Sequence, residues 1–119
     1  MTQPRTIQCK RAYDEPEDAD GYRVLVDGVW PRGRRKEALK LDEWRKELAP
    51  SKRLRQWFKH DPERWEEFID RYHRELEKQQ RAIDEMLAEC DGRTLTLVFG
   101  AKETEYNNAM ALKEYLQRR

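Results

Sequence analysis

Two short, almost uninterrupted apolar runs constrain this chain more than any other feature. Val24-Leu25-Val26 and the stretch Thr94–Phe99 carry β-branched and apolar residues, without the polar alternation of a half-solvated strand. A strand of that kind is buried on both faces, the situation of a parallel sheet covered by helices. Parallel strands need long crossovers, and the sequence between the two runs has helical periodicity. The expected class is α/β: a small, mainly parallel sheet of about three or more short strands flanked by helices.

Within Thr6–Tyr13 a weak alternation suggests a first strand over residues 6–10, followed by strands at 22–27 and 94–99. The acidic segment Asp14–Asp20, with Pro16, reads as a solvated loop ending in a helical turn. Lys36–Leu39 fits another short turn. Leu41–Leu48 stays open, because Leu41, Trp44 and Leu48 match helical spacing while a short strand could start near Lys40. Helix starts are clearer afterwards. Ser51 is placed to cap a helix whose apolar face is Leu54, Trp57 and Phe58. Asp61-Pro62-Glu63 supplies a cap, a proline at the first helical position and an acid on the positive end of the dipole. The spacing then predicts a predominantly helical segment from Pro62 to Cys90, with a break near Lys78–Gln80. Its stripe of Trp65, Phe68, Ile69, Tyr72 and Leu76 should pack on the sheet, resumed by Ile83, Met86, Leu87 and Cys90. Asp91-Gly92 stops it. Gly100-Ala101-Lys102 leads to a last helix with Ala109, Leu112 and Leu116 on one face.

With 119 residues, one domain spanning 1–119 is expected, large enough to form a core without metals or disulfides. Charged residues make up 41% of the chain and mean hydropathy is −1.20, values that raise disorder as a rival. The net charge of only +1, with four Trp and five Tyr periodically placed, favours a thin-cored globule with a charged exterior. Near-neutrality also argues against bulk attraction to nucleic acid or membrane. No apolar run approaches the roughly eighteen residues of a membrane span, and Met1–Arg5 lack the apolar core of a signal peptide. A cytoplasmic setting is expected, with Cys9 and Cys90 as reduced thiols. No Cys or His spacing suggests a metal site, and no motif suggests a cofactor.

Several motifs occur together in order: Lys10-Arg11-Ala12-Tyr13-Asp14, Asp20-Gly21-Tyr22-Arg23-Val24-Leu25-Val26-Asp27, Trp30-Pro31-Arg32-Gly33, Leu41-Asp42-Glu43-Trp44 and Glu47-Leu48-Ala49-Pro50-Ser51. They continue through the tryptophan-rich helix after Asp61-Pro62, then Leu95-Thr96-Leu97, Ala101-Lys102 and Asn107-Asn108-Ala109. On these motifs the chain resembles, over nearly its whole length, the YeaO-like proteins, a bacterial family of the DUF488 group. The resemblance implies a compact α/β domain and no particular reaction. It also exposes two departures. Relatives often carry Arg after the Asp, where this chain has Gly28, and often His where it has Asn108. A pocket built on those positions would be less basic here and would lack a general acid/base.

The candidate site follows from the strands. If they are parallel, their C-terminal ends gather Arg11, Asp27, Arg32 and Lys102 on one rim, where open α/β sheets bind ligands. Arginine forks and a lysine suit phosphate or carboxylate. Asn107, near the start of the last helix, could add its amide beside free backbone N–H groups. The expected ligand is a small phosphorylated or carboxylated metabolite, turnover undecided. Against this stands a structural ion pair of Asp27 with Arg11 or Arg32. A non-catalytic nucleic-acid module using the Arg32–Lys36 loop is the alternative class, and a structural or protein-interaction domain the third. Trp30 reads better as loop packing than as a ligand wall. His60 reads better as a capping or surface residue than as a catalyst, and His73 as a solvated flank. Cys9, mid-strand, is expected to be buried and inert.

Overall fold

The computed structural model describes residues 3–119. Among these the strands are β1 (Ile7–Arg11), β2 (Tyr22–Leu25), β3 (Glu43–Trp44) and β4 (Leu95–Phe99). All pairings are parallel, in the order β1-β4-β2-β3. The two apolar runs thus become the two central strands, and every residue of β2 and β4 is buried. The outer strands β1 and β3 are half-buried throughout, in keeping with their poorer apolar character. The short strand at Glu43–Trp44 resolves the ambiguity over Leu41–Leu48, and a 3-10 turn over Lys46–Leu48 completes that segment.

Strand alternation divides the core in two. Tyr22, Val24, Val26, Leu95, Leu97 and Phe99 belong to a large cluster. It is roofed by α2 (Lys52–Phe58), α3 (Trp65–Leu76), α4 (Gln80–Cys90) and α5 (Asn108–Arg118). On the other face Leu25 and Val98 pack with Ala12 and Leu39, bordered by Trp30, Leu41 and Trp44. That face carries the single turn α1 (Lys36–Leu39), which supplies Leu39. The cover is lopsided: four helices on one side, a turn and loops on the other.

The predicted helical segment is helical from Pro62 to Cys90, as a 3-10 turn over Pro62–Arg64, α3, a second turn over Glu77–Gln79 and α4. The second turn lies at the expected break. Phe68, Tyr72 and Leu76 are buried, while Trp65 and Ile69 pack at the margin. Ser51 Oγ accepts from the Leu54 N–H and Asp61 from the Glu63 N–H, so both predicted caps are in use. Gly21 has no substitute. Its φ is +65°, and a Cβ there would collide with the Thr94 carbonyl, which accepts the Tyr22 N–H at 2.8 Å.

One expectation needs correcting. Asp14–Asp20 is not solvated to its end, because Asp20 is only 2% exposed. Its carboxylate accepts from Arg23 Nη1 at 2.7 Å, from Lys10 Nζ at 3.1 Å, from Gln8 Nε2 at 3.1 Å and from the Glu17 N–H at 3.0 Å. Arg23, itself buried, donates its other N–H groups to the Leu39 carbonyl at 3.0 and 2.8 Å. Thr96 Oγ1 donates to the Asp20 carbonyl at 2.7 Å. A thinly covered sheet face is thus closed by a fully paired polar cluster, since buried charges persist only when paired and hydrogen-bonded. The spacing of Asp20 and Arg23 alone could not separate this from two surface charges.

His73 also departs from its expected solvated place. It is half-buried, with Nε2 2.9 Å from the Ala111 carbonyl and its ring edge-on to Tyr115. Both cysteines are free thiols, Cys90 buried but Cys9 only half-buried, not buried as expected, because β1 is an outer strand. Burial pushes the Cys9 thiol up to about 11, against an opposing pull from Lys113, so it is poorly reactive.

Candidate functional site

The parallel ladder delivers Asp27 to the strand ends. Val26 N–H bonds the Val98 carbonyl at 3.0 Å, extending the pairing of β2 by one residue, and Asp27 emerges next. Its Oδ2 accepts the Gly100 N–H at 2.8 Å, just beyond β4. Its Oδ1 accepts from Asn108 Nδ2 at 3.1 Å, and the same amide nitrogen lies 3.1 Å from the Val26 carbonyl. The Asp27 carbonyl accepts from Trp44 Nε1 at 2.7 Å. Burial raises the Asp27 carboxyl above the usual range, opposed by the Gly100 N–H, the Asn108 amide, and the charges of Arg55 and His60.

A cleft of about 260 Å³ opens at this carboxylate. One wall is Gly28 and Val29, a second is Ala49, Pro50 and Arg55, and Phe58 with His60 closes the end of α2. His60 reaches this place through an unusual turn. Lys59 and His60 both adopt the left-handed conformation, with φ of 47° and 55°, as the chain leaves α2 and enters the Asp61 cap. Two successive non-glycine residues there are uncommon. The imidazole is held by Nδ1 at 2.9 Å from the Tyr106 carbonyl. A carbonyl only accepts, so Nδ1 carries the proton and Nε2 is left for another partner.

Of the residues expected on the rim, the structure brings only Asp27 to this cleft. Arg11 sits at the end of β1, but its Nε donates to the Ala101 carbonyl at 2.9 Å and its guanidinium lies 5.0 Å from the Tyr13 ring centroid. Arg32 and Lys102 are exposed and line no part of it. The basic side chains that act on Asp27 are Arg55 and His60, so neither the Arg11 nor the Arg32 pairing describes it. Asn107 is fully buried as the cap of α5. Its Oδ1 accepts the Met110 N–H at 2.9 Å and its Nδ2 donates to the Glu103 carbonyl at 2.8 Å. The neighbouring Asn108 is the residue that faces Asp27. Asn107→Ala is expected to cost about 1–2 kcal/mol in denaturant melts, the loss of a cap; an unchanged midpoint would remove the capping role.

Arg55 and His60 lay outside the rim because nothing in sequence spacing links α2 to the end of β2. A faint signal was present in Ala49-Pro50-Ser51, a rigid entry that fixes where the following helix points. Trp30 packs as expected, edge-on to Trp44 at 5.4 Å, its Nε1 donating to the Arg34 carbonyl at 2.7 Å. Among the described residues no three or more His, Cys, Asp or Glu side chains gather to hold a metal. None of the helices among them is long and apolar enough to cross a membrane.

Fold and site together define a small parallel α/β protein with a cleft of about 260 Å³ at the carboxyl ends of its strands. The profile described as the inactive DUF488-N3 subclade (DUF488-N3i) matches residues 6–119, and the chain belongs to that family. It is 41% identical over 111 residues to the uncharacterized protein YeaO of Escherichia coli (strain K12), covering 93% of this chain and 96% of that protein. It is 36% identical over 120 residues to the uncharacterized protein Rv3073c of Mycobacterium tuberculosis, covering the whole of both. No solved structure is a significant match.

Proposed function

We propose that this protein binds a small phosphorylated or carboxylated metabolite in the Asp27 cleft, in a cytoplasmic setting, without turning it over. The observation that carries this reading is Arg55. Its exposed guanidinium lines the cleft and, among the described residues, has no ion-pair partner. A guanidinium is a planar fork suited to phosphate or carboxylate. Each oxygen of Asp27 accepts one hydrogen bond from the protein and has capacity for another, which suits a ligand hydroxyl. Phe58 and Pro50 offer apolar contact to the rest of the molecule.

Binding without turnover is favoured by the description of the family as inactive. It is favoured also by Asn108, whose amide occupies Asp27 Oδ1 where a proton-carrying side chain would be wanted. The nucleic-acid reading is weaker. Arg34, central in the basic loop, is turned inward to the Ala12 carbonyl at 3.0 Å. Trp57 already carries the protein's own Arg64 and Arg71, at 5.2 and 4.5 Å from the ring centroid, which compete with a stacking base.

Calorimetric titration with sugar phosphates and hydroxycarboxylates tests the reading. Arg55→Gln is expected to lower affinity at least about tenfold, ~1.4 kcal/mol. Stability should move by less than about 0.5 kcal/mol, as for an ordinary surface position. Equal binding by the wild type and the variant would overturn the assignment.

A further inference from the structure

A second cavity, of about 490 Å³, adjoins the Asp27 cleft. The two share the same four wall residues, Gly28, Ala49, Pro50 and Arg55. Gly28 matters here for the space it leaves. A Cβ at this position would already stand 3.6 Å from Arg55 Nη2 and 3.7 Å from the Ala49 methyl, so a longer side chain would fill the neck. With glycine there, the chambers meet beside the Arg55 guanidinium.

Charge in the second chamber is unevenly spent. Its acids are engaged: Glu75 accepts from the Ser51 N–H at 2.8 Å and from Ser51 Oγ at 2.6 Å, and Glu47 is 3.9 Å from Arg45. Its cations are not. Lys46 makes a cation–π contact, 4.2 Å from the Trp44 ring centroid, and no ion pair among the described residues. Lys78, exposed like Lys46, has no ion pair among the described residues, and neither does Arg55. The ammonium groups of Lys46 and Lys78 are thus left open to an anion, beside the chamber's two carboxylates.

We infer that the two chambers form one groove for an elongated ligand with two anionic groups. One group lies at Arg55 in the Asp27 cleft, and the second beyond the Gly28 neck, between Lys46 and Lys78. This inference rests on the cleft being a ligand site, and it names the class of ligand: a molecule with phosphate or carboxylate at both ends of a hydroxylated spacer. Lysines act as point charges and impose little geometry, so the second chamber supplies affinity while the first supplies orientation.

The test compares fructose monophosphate with fructose bisphosphate by calorimetric titration. Wild-type protein should bind the bisphosphate at least about tenfold more tightly. The double variant Lys46→Ala/Lys78→Ala, altered only at exposed side chains, should bind both equally, at the wild-type monophosphate level. A bisphosphate that binds no better than the monophosphate overturns the two-part groove and leaves the cleft reading standing. So does an advantage that survives loss of both lysines. Absence of binding by either probe, with no difference between wild type and Arg55→Gln, overturns both.

Discussion

Phe68→Ala is expected to destabilise the protein by about 3–5 kcal/mol. Phe68 is 1% exposed on α3 and lies at the centre of an aromatic cluster. Its ring stacks on Phe58 with centroids 4.1 Å apart, and on Trp65 at 5.7 Å, with Tyr72 tilted against it at 5.6 Å. Truncation removes the buried ring and leaves a cavity that these partners, on two helices held at both ends, cannot close. The melting temperature should fall by roughly 10–20 °C in a domain of this size. A loss below about 0.5 kcal/mol would instead place the ring on the surface. Phe68 and Phe58 also line the Asp27 cleft, so the variant should lose ligand affinity as well as stability. Arg55→Gln should lose affinity alone, and the contrast separates packing from recognition.

Breaking the buried Asp20–Arg23 pair is the second large effect. Arg23→Met should cost about 3–5 kcal/mol, because it leaves the buried carboxylate with Lys10 as its one cation and removes both donors to the Leu39 carbonyl. The pair has a pH signature. Burial pushes the Asp20 carboxyl up, but the Glu17 N–H, Lys10 and Arg23 outweigh it, and the net shift is downward from 3.8. A carboxylate held lower in the folded state than in the unfolded one stabilises the fold above its unfolded value. That contribution disappears as pH falls through the folded value. Wild-type stability should therefore drop below about pH 4, and more steeply than that of Asp20→Asn, which has no proton to bind there. Parallel curves for the two proteins, measured by urea denaturation across that range, would show that the pair contributes nothing to acid sensitivity.

Much of the architecture was legible in the residues. Val24-Leu25-Val26 and Leu95–Phe99 declared central strands because solvent on either face would have demanded polar alternation, and both are wholly buried. The stripe through Phe68, Tyr72 and Leu76 declared its helix because burial at a period of 3.6 marks one face. Caps at Ser51 and Asp61 were legible for the same reason: each is a local interaction, completed within three residues. Position along the sheet carried Asp27 to the strand ends, since the ladder that holds Val26 leaves the next residue there.

What surrounds Asp27 was decided only in three dimensions. Arg55 lies twenty-eight positions further on, and Asn108 eighty-one. Each arrives through the packing of a helix whose rotation about its own axis is set by its buried face. That rotation separates adjacent asparagines: Asn107 turns inward to cap α5, and Asn108 turns to the carboxylate. It also decides that Arg11 spends its Nε on the Ala101 carbonyl, while Arg55, an ordinary surface arginine by its sequence, faces the cleft. Hydrophobic periodicity determines which face of an element is buried, because burial is non-directional and averages over a whole stripe. The partner of a single polar group depends on a few ångströms and a few tens of degrees, which only the assembled tertiary packing supplies.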